Sequence, residues 1–131
     1  MFRLLVVATV LAWLPASAQA QWGREPKTVL SGQPVKLVFA NSTHANCSTI
    51  GRPTIRITQP PENGRVSITA ANDFPSFSRA NQRYDCNRRR VPGTLVRYVS
   101  NRGFTGSDSV GIEIFFVTGT YQSKSYTINV R

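Results

Sequence analysis

Ser109-Val110-Gly111-Ile112-Glu113-Ile114-Phe115-Phe116-Val117-Thr118, then Gly119-Thr120, then Tyr121-Gln122-Ser123-Lys124-Ser125-Tyr126-Thr127-Ile128-Asn129-Val130, is a pair of alternating runs on either side of a glycine. In the first, Val110, Ile112, Ile114 and Phe116 occupy every second position; in the second, Tyr126, Ile128 and Val130 do. Side chains alternate across a strand, so this period of two puts each set on one face, toward a core. Thr118-Gly119-Thr120 predicts a tight hairpin between two long antiparallel strands over Ser109–Thr118 and Tyr121–Val130.

The same pattern recurs upstream. Val35, Leu37 and Phe39 alternate, as do Ile55 with Ile57 and Val66 with Ile68; Leu95 to Val99 reads as a further strand and Thr28 to Leu30 as a weaker one. Between Ile57 and Val66 stands Gln59-Pro60-Pro61-Glu62-Asn63-Gly64, whose prolines cannot donate ladder hydrogen bonds and whose Asn-Gly tolerates positive φ, which predicts a turn. Ala71 to Pro92 is rich in Asn, Ser and Arg without a sustained period and reads as one long loop. No segment has a helical period. The expectation is an all-β antiparallel sandwich of about seven strands in two sheets.

The chain has 131 residues and a formal charge of +10. Its first twenty residues have the three parts of a secretory signal: Arg3, an apolar run from Leu4 to Leu14, and Pro15 leading to Ala18-Gln19-Ala20. Eleven apolar residues rise about 16 Å as a helix, half of the ~30 Å hydrocarbon layer, so a cleaved signal over residues 1–20 is expected in preference to a membrane anchor. Residues 21–131 then form one domain, periplasmic or extracellular. Only Arg3 among the sixteen Lys and Arg is lost, which leaves fifteen cations against six carboxylates and a charge of +9. Such a balance favours anionic partners. Two cysteines, Cys47 and Cys86, in an oxidising compartment predict one structural disulfide, since redox-active pairs are usually closely spaced.

Pro61-Glu62-Asn63-Gly64-Arg65-Val66, Val96-Arg97-Tyr98 and Gly103-Phe104-Thr105-Gly106-Ser107-Asp108-Ser109-Val110 together resemble the bacterial immunoglobulin-like and cadherin-like domains of secreted and surface proteins. In that family a tyrosine strand leads into a Gly-Phe-x-Gly-x-Asp turn and a long final hairpin. The resemblance implies an immunoglobulin-like sandwich acting as an adhesive or spacer module. In the turn, Gly106 supplies unusual backbone angles, Phe104 a plug, and Asp108 a carboxylate for nearby amides. The chain departs from the pattern at Val110, at Thr118-Gly119-Thr120, and in having Cys47 and Cys86, so the family's calcium sites are not carried over.

The most unusual local feature is Arg88-Arg89-Arg90, with Arg79 and Arg83 upstream and Arg97 and Arg102 downstream. Guanidinium groups match phosphate and carboxylate oxygens, so Arg83, Arg88, Arg89 and Arg90 are candidate contacts for lipopolysaccharide, acidic polysaccharide or an acidic protein; a solvated loop is the plain alternative. A loop docking into an enzyme, as an inhibitor or accessory subunit does, is a second functional class. Specific nucleic-acid binding is not expected of an exported chain. Neither is catalysis: His44 is the single histidine, among turn residues, and Glu25, Glu62, Asp73, Asp85, Asp108 and Glu113 are dispersed. No metal and no cofactor is expected, because two cysteines and one histidine make an incomplete ligand set. Phe115 is out of register with the core positions, so it either points outward as a contact surface or is covered by the long loop, with Phe74-Pro75-Ser76-Phe77 as the expected cover.

Overall fold

The computed structural model describes residues 23–131. The expected signal segment and Trp22 lie outside the described residues. Nine strands are present among them: β1 (Glu25–Val29), β2 (Pro34–Ala40), β3 (Ser42–Thr43), β4 (Thr49–Gly51), β5 (Thr54–Gln59), β6 (Gly64–Asp73), β7 (Val91–Ser100), β8 (Gly106–Phe115) and β9 (Tyr121–Val130). One 3-10 turn, Tyr84–Arg88, interrupts the β6–β7 connection. A four-stranded sheet runs β1-β9-β8-β5, a three-stranded sheet β2-β7-β6, and β3 pairs with β4 in a short hairpin. The seven strands of the two larger sheets are those expected from alternation; the β3–β4 hairpin is additional.

Both larger sheets feed one core. Leu37, Val96 and Tyr98 come from the three-stranded sheet, and Ile55, Val110, Ile112, Ile114, Tyr126, Ile128 and Val130 from the four-stranded one. Burial follows strand position: β7, β8 and β9 lie inside their sheets and carry most of the fully buried side chains, whereas β6 is an edge strand with Ile68 partly exposed. All pairings within the sheets are antiparallel except β1 with β9, which is parallel from Glu25 opposite Tyr126 to Val29 opposite Val130. Leu30 falls outside β1 and is 66% exposed.

Three expectations change in detail. In β2 the register slips between Lys36 and Val38, so Leu37 and Ala40 are the buried residues and Phe39 sits opposite Leu95. A bulge places two residues against one and breaks the simple alternation. The long loop is shorter than Ala71–Pro92, because β6 runs on to Asp73 and β7 begins at Val91. Ala70-Ala71-Asn72-Asp73 lies on an exposed edge and therefore shows no apolar period. The final hairpin is also less tight than Thr118-Gly119-Thr120 predicts: β8 ends at Phe115, and Phe116–Thr120 forms the loop, closed by the Phe116 amide donating to the Thr120 carbonyl.

The turn after β5 carries the chain from the four-stranded to the three-stranded sheet. Gly64 is not in the left-handed region there; the positive-φ glycines lie elsewhere. Its requirement is space, since a Cβ would sit 2.5 Å from the Val99 carbonyl oxygen and 2.6 Å from the Tyr98 ring.

Candidate functional site

The segment between β6 and β7, residues 74–90, is ordered by its own polar groups. Asn87 accepts from the Phe77 amide and donates to the Phe77 carbonyl, and Asn81 accepts from the Arg83 amide. Cys86 is fully buried and bonded to Cys47, with 5.4 Å between their Cα atoms. Cys47 itself adopts φ 71° at the tip of the β3–β4 hairpin, a left-handed conformation uncommon outside glycine. The disulfide therefore fastens the arginine segment to that hairpin.

This anchoring divides the candidate arginines. Arg83 is half-buried and donates its Nε to the Thr43 carbonyl, a second tie between the segment and β3. Arg88, Arg89 and Arg90 are exposed. Arg90 lies over the Phe74 ring at 5.2 Å, a cation–π contact, and within the field of the Asp73 carboxylate. The amide of Phe74, the ammonium of Lys36 and the charge of Arg90 together hold the Asp73 carboxyl below its ordinary value. Arg88 and Arg89 make no ion pair among the described residues.

A second basic surface adjoins this one. On β7, Val96 and Tyr98 enter the core, so Arg97 between them points away from it and is exposed. The register sets Lys36 directly opposite Arg97 on one neighbouring strand and Ser67 opposite it on the other. Arg65 lies two residues along β6, opposite Val99, and Arg65 and Arg102 both line a hollow of about 270 Å³. Like charges directly opposite in a sheet are destabilising. Lys36 is compensated by Asp73 at 3.1 Å, whereas Arg65, Arg97 and Arg102 have no ion-pair partner among the described residues. Arg97 and Arg102 stand near the arginine segment in sequence, but Lys36 and Arg65 join them only through strand pairing. Sequence alone carried one usable signal for them, a charge at each outward position of an alternating run.

Asp108, 5% exposed, lies at the Gly64–Ser100 end of the β6–β7 ladder, near Arg65 and Arg102 and away from the Asp73–Val91 end where the arginine segment joins. Its Oδ1 accepts from the amides of Glu62 (3.0 Å) and Ser109 (2.9 Å), and its Oδ2 from the Asn63 amide (3.0 Å) and the Tyr98 hydroxyl (2.8 Å). Burial pushes this carboxyl up, but the four hydrogen bonds outweigh it and hold it below the ordinary 3.8. Burial and the Asp108 charge together push the Tyr98 phenol up. Gly106, at φ 136°, bends the chain into β8 two residues earlier, and Phe104 packs half-buried against the core.

His44 is exposed in the β3–β4 loop, where its backbone amide donates to the Ser48 carbonyl. Glu25, Asp73 and Glu113 are each in ion pairs with cations, Glu113 through Arg56 at 2.6 Å. No group of three His, Cys, Asp or Glu side chains among the described residues is placed to hold a metal ion. No family model, curated protein or solved structure matches this chain.

Phe115 is not covered by Phe74 and Phe77. It is 40% exposed, stacks on Tyr121 at 5.9 Å between ring centroids, and carries the Arg56 guanidinium 5.6 Å above it. The register explains this, because Phe115 and Tyr121 face each other as the last pair of the β8–β9 ladder.

Proposed function

We propose that the chain is an exported, noncatalytic binding module, an immunoglobulin-like sandwich of the bacterial cadherin-like kind, that engages an anionic envelope polymer such as lipopolysaccharide or an acidic polysaccharide. The observation that carries the reading is the set Arg65, Arg97 and Arg102, which has no ion-pair partner among the described residues: Arg97 points outward from the three-stranded sheet, and Arg65 lines one hollow with Arg102 of the turn after β7. Cations that have no internal counter-ion are relieved when an anionic partner supplies the charge. Arg88, Arg89 and Arg90 extend the same basic surface from the disulfide-anchored segment. The division of seven strands into sheets of four and three around one core supports the sandwich assignment. The Cys47–Cys86 disulfide supports an oxidising compartment, periplasmic or extracellular.

The test is retention of the mature protein on immobilised heparin and on lipopolysaccharide across a salt series. An Arg65, Arg97, Arg102→Ser variant and an Arg88, Arg89, Arg90→Ser variant are run beside it. Multivalent ion contacts release counterions, so each variant is expected to elute at lower salt with a shallower salt dependence. Elution of both variants with the parent removes the proposal, as does capture of an acidic protein from envelope extract by a parent that ignores both polymers.

A further inference from the structure

Where β2 and the β1–β9 edge face each other, the two sheets part and leave a cleft of about 560 Å³. Leu37 and Ile114, otherwise core residues, form part of its lining, and Phe39, Phe74, Phe77 and Phe116 complete the apolar surface. A second hollow of about 220 Å³ adjoins the cleft, with Asn41, Phe77 and Phe116 lining both. Ser42 lines that second hollow, and its buried hydroxyl has no hydrogen-bond partner. The cleft alone falls in the ~300–1,000 Å³ range of small-molecule sites, which are apolar with a few placed polar groups.

The polar lining is cationic. Lys27, Lys36 and Lys124 line the cleft with Glu25 as the single carboxylate among them. Glu25 is shared by Lys27 at 2.8 Å and Lys124 at 4.0 Å. Asp73, beside Phe74, is shared by Lys36 and the field of Arg90. Two carboxylates thus serve four cations, and the surplus of positive charge lies next to an aromatic hollow. We propose that this cleft binds a single-chain amphiphile with an anionic head group, a long-chain carboxylate in its simplest form. The chain enters among the four phenylalanines while the head group takes the free valence of Lys27 and Lys124. This site is distinct from Arg65, Arg97 and Arg102, although Lys36 and Arg90 border both surfaces.

Calorimetric titration of the mature protein with octanoate, decanoate and dodecanoate, all below their micellar concentrations, tests the proposal. One saturable site per chain is expected, with affinity rising about fourfold per added methylene until the cleft is full. Lys27→Gln with Lys124→Gln is expected to weaken dodecanoate about tenfold and to leave octyl glucoside unchanged, a difference that corresponds to about 1.4 kcal/mol. Ser76→Trp, at an exposed loop position on the cleft, is expected to abolish binding without lowering the melting temperature. Arg88→Ser with Arg89→Ser, which leaves Arg90 on the Phe74 ring, is expected to bind as the parent does. Absence of saturable heat, affinity independent of chain length, equal binding of dodecyltrimethylammonium, or undiminished binding by the lysine and tryptophan variants would each overturn it.

Discussion

Replacing Asp108 with asparagine leaves one acceptor oxygen where four donors converge. The amide oxygen keeps two of the four bonds, now between neutral groups, and the amide nitrogen is turned toward either the Glu62 and Ser109 amides or the Asn63 amide and Tyr98 hydroxyl. The better orientation sets the nitrogen on Tyr98, whose hydroxyl can rotate to accept, and strands the Asn63 amide. An unsatisfied buried donor costs about 1–3 kcal/mol, and each bond that loses its charge gives up about 1 kcal/mol more. The sum is roughly 3–5 kcal/mol, a large share of the ~5–15 kcal/mol that holds a domain of this size. At ~4 °C per kcal/mol, Asp108→Asn should melt about 12–20 °C below the parent. Urea titration followed by circular dichroism is the direct assay, with an unchanged denaturant slope expected. The pH dependence has a definite sign: the folded carboxyl lies below the ordinary 3.8, so its stabilisation is present above that value and is lost as pH falls through the folded pKa. The variant should therefore lose less stability than the parent on acidification. A loss under ~1 kcal/mol at neutral pH, or an acid limb as steep as the parent's, would refute the argument.

Two further outcomes concern stability. Cys47→Ala with Cys86→Ala opens a loop with a sequence separation of 39, which in the chain-entropy model lowers stability by up to about 4 kcal/mol, and the parent in reductant should match the variant in a urea titration. Tyr126→Phe removes a buried hydroxyl that has no partner, so the variant should equal or exceed the parent by about 1 kcal/mol; a melting temperature several degrees lower would show that the hydroxyl is satisfied.

The strands were the legible part of this chain because alternation is a local property. Val110, Ile112 and Ile114, with Tyr126, Ile128 and Val130, can be assigned to a core before any partner is known. Apart from the hairpin of β8 with β9, pairing is not local, and neither partner choice nor exact register could be read. The slip at Leu37, the meeting of Lys36 with Arg97, and the stacking of Phe115 on Tyr121 all follow from which strand lies beside which. Gly64 shows the same limit from another side: Asn-Gly reads as a backbone requirement, yet the constraint comes from Val99 and Tyr98, more than thirty residues away. The arginine segment was visible as composition. Its division into a tied Arg83, an Arg90 resting on Phe74, and an exposed Arg88-Arg89 needed the Thr43 carbonyl, the Phe74 ring and the Cys47 sulfur as fixed points.

The parallel pairing of β1 with β9 determines how the domain responds to force. Residue 24 leaves β1 at one end of the shared ladder, beside Tyr126, and Arg131 leaves β9 at the other, where its amide donates to the Val29 carbonyl. Tension applied through these two points runs along the strands in opposite directions. All the hydrogen bonds of the ladder are then loaded together in shear, whereas a hairpin pulled from its open end would yield them one at a time. The short first strand, only five residues long, thus becomes the part that a stretching force meets first.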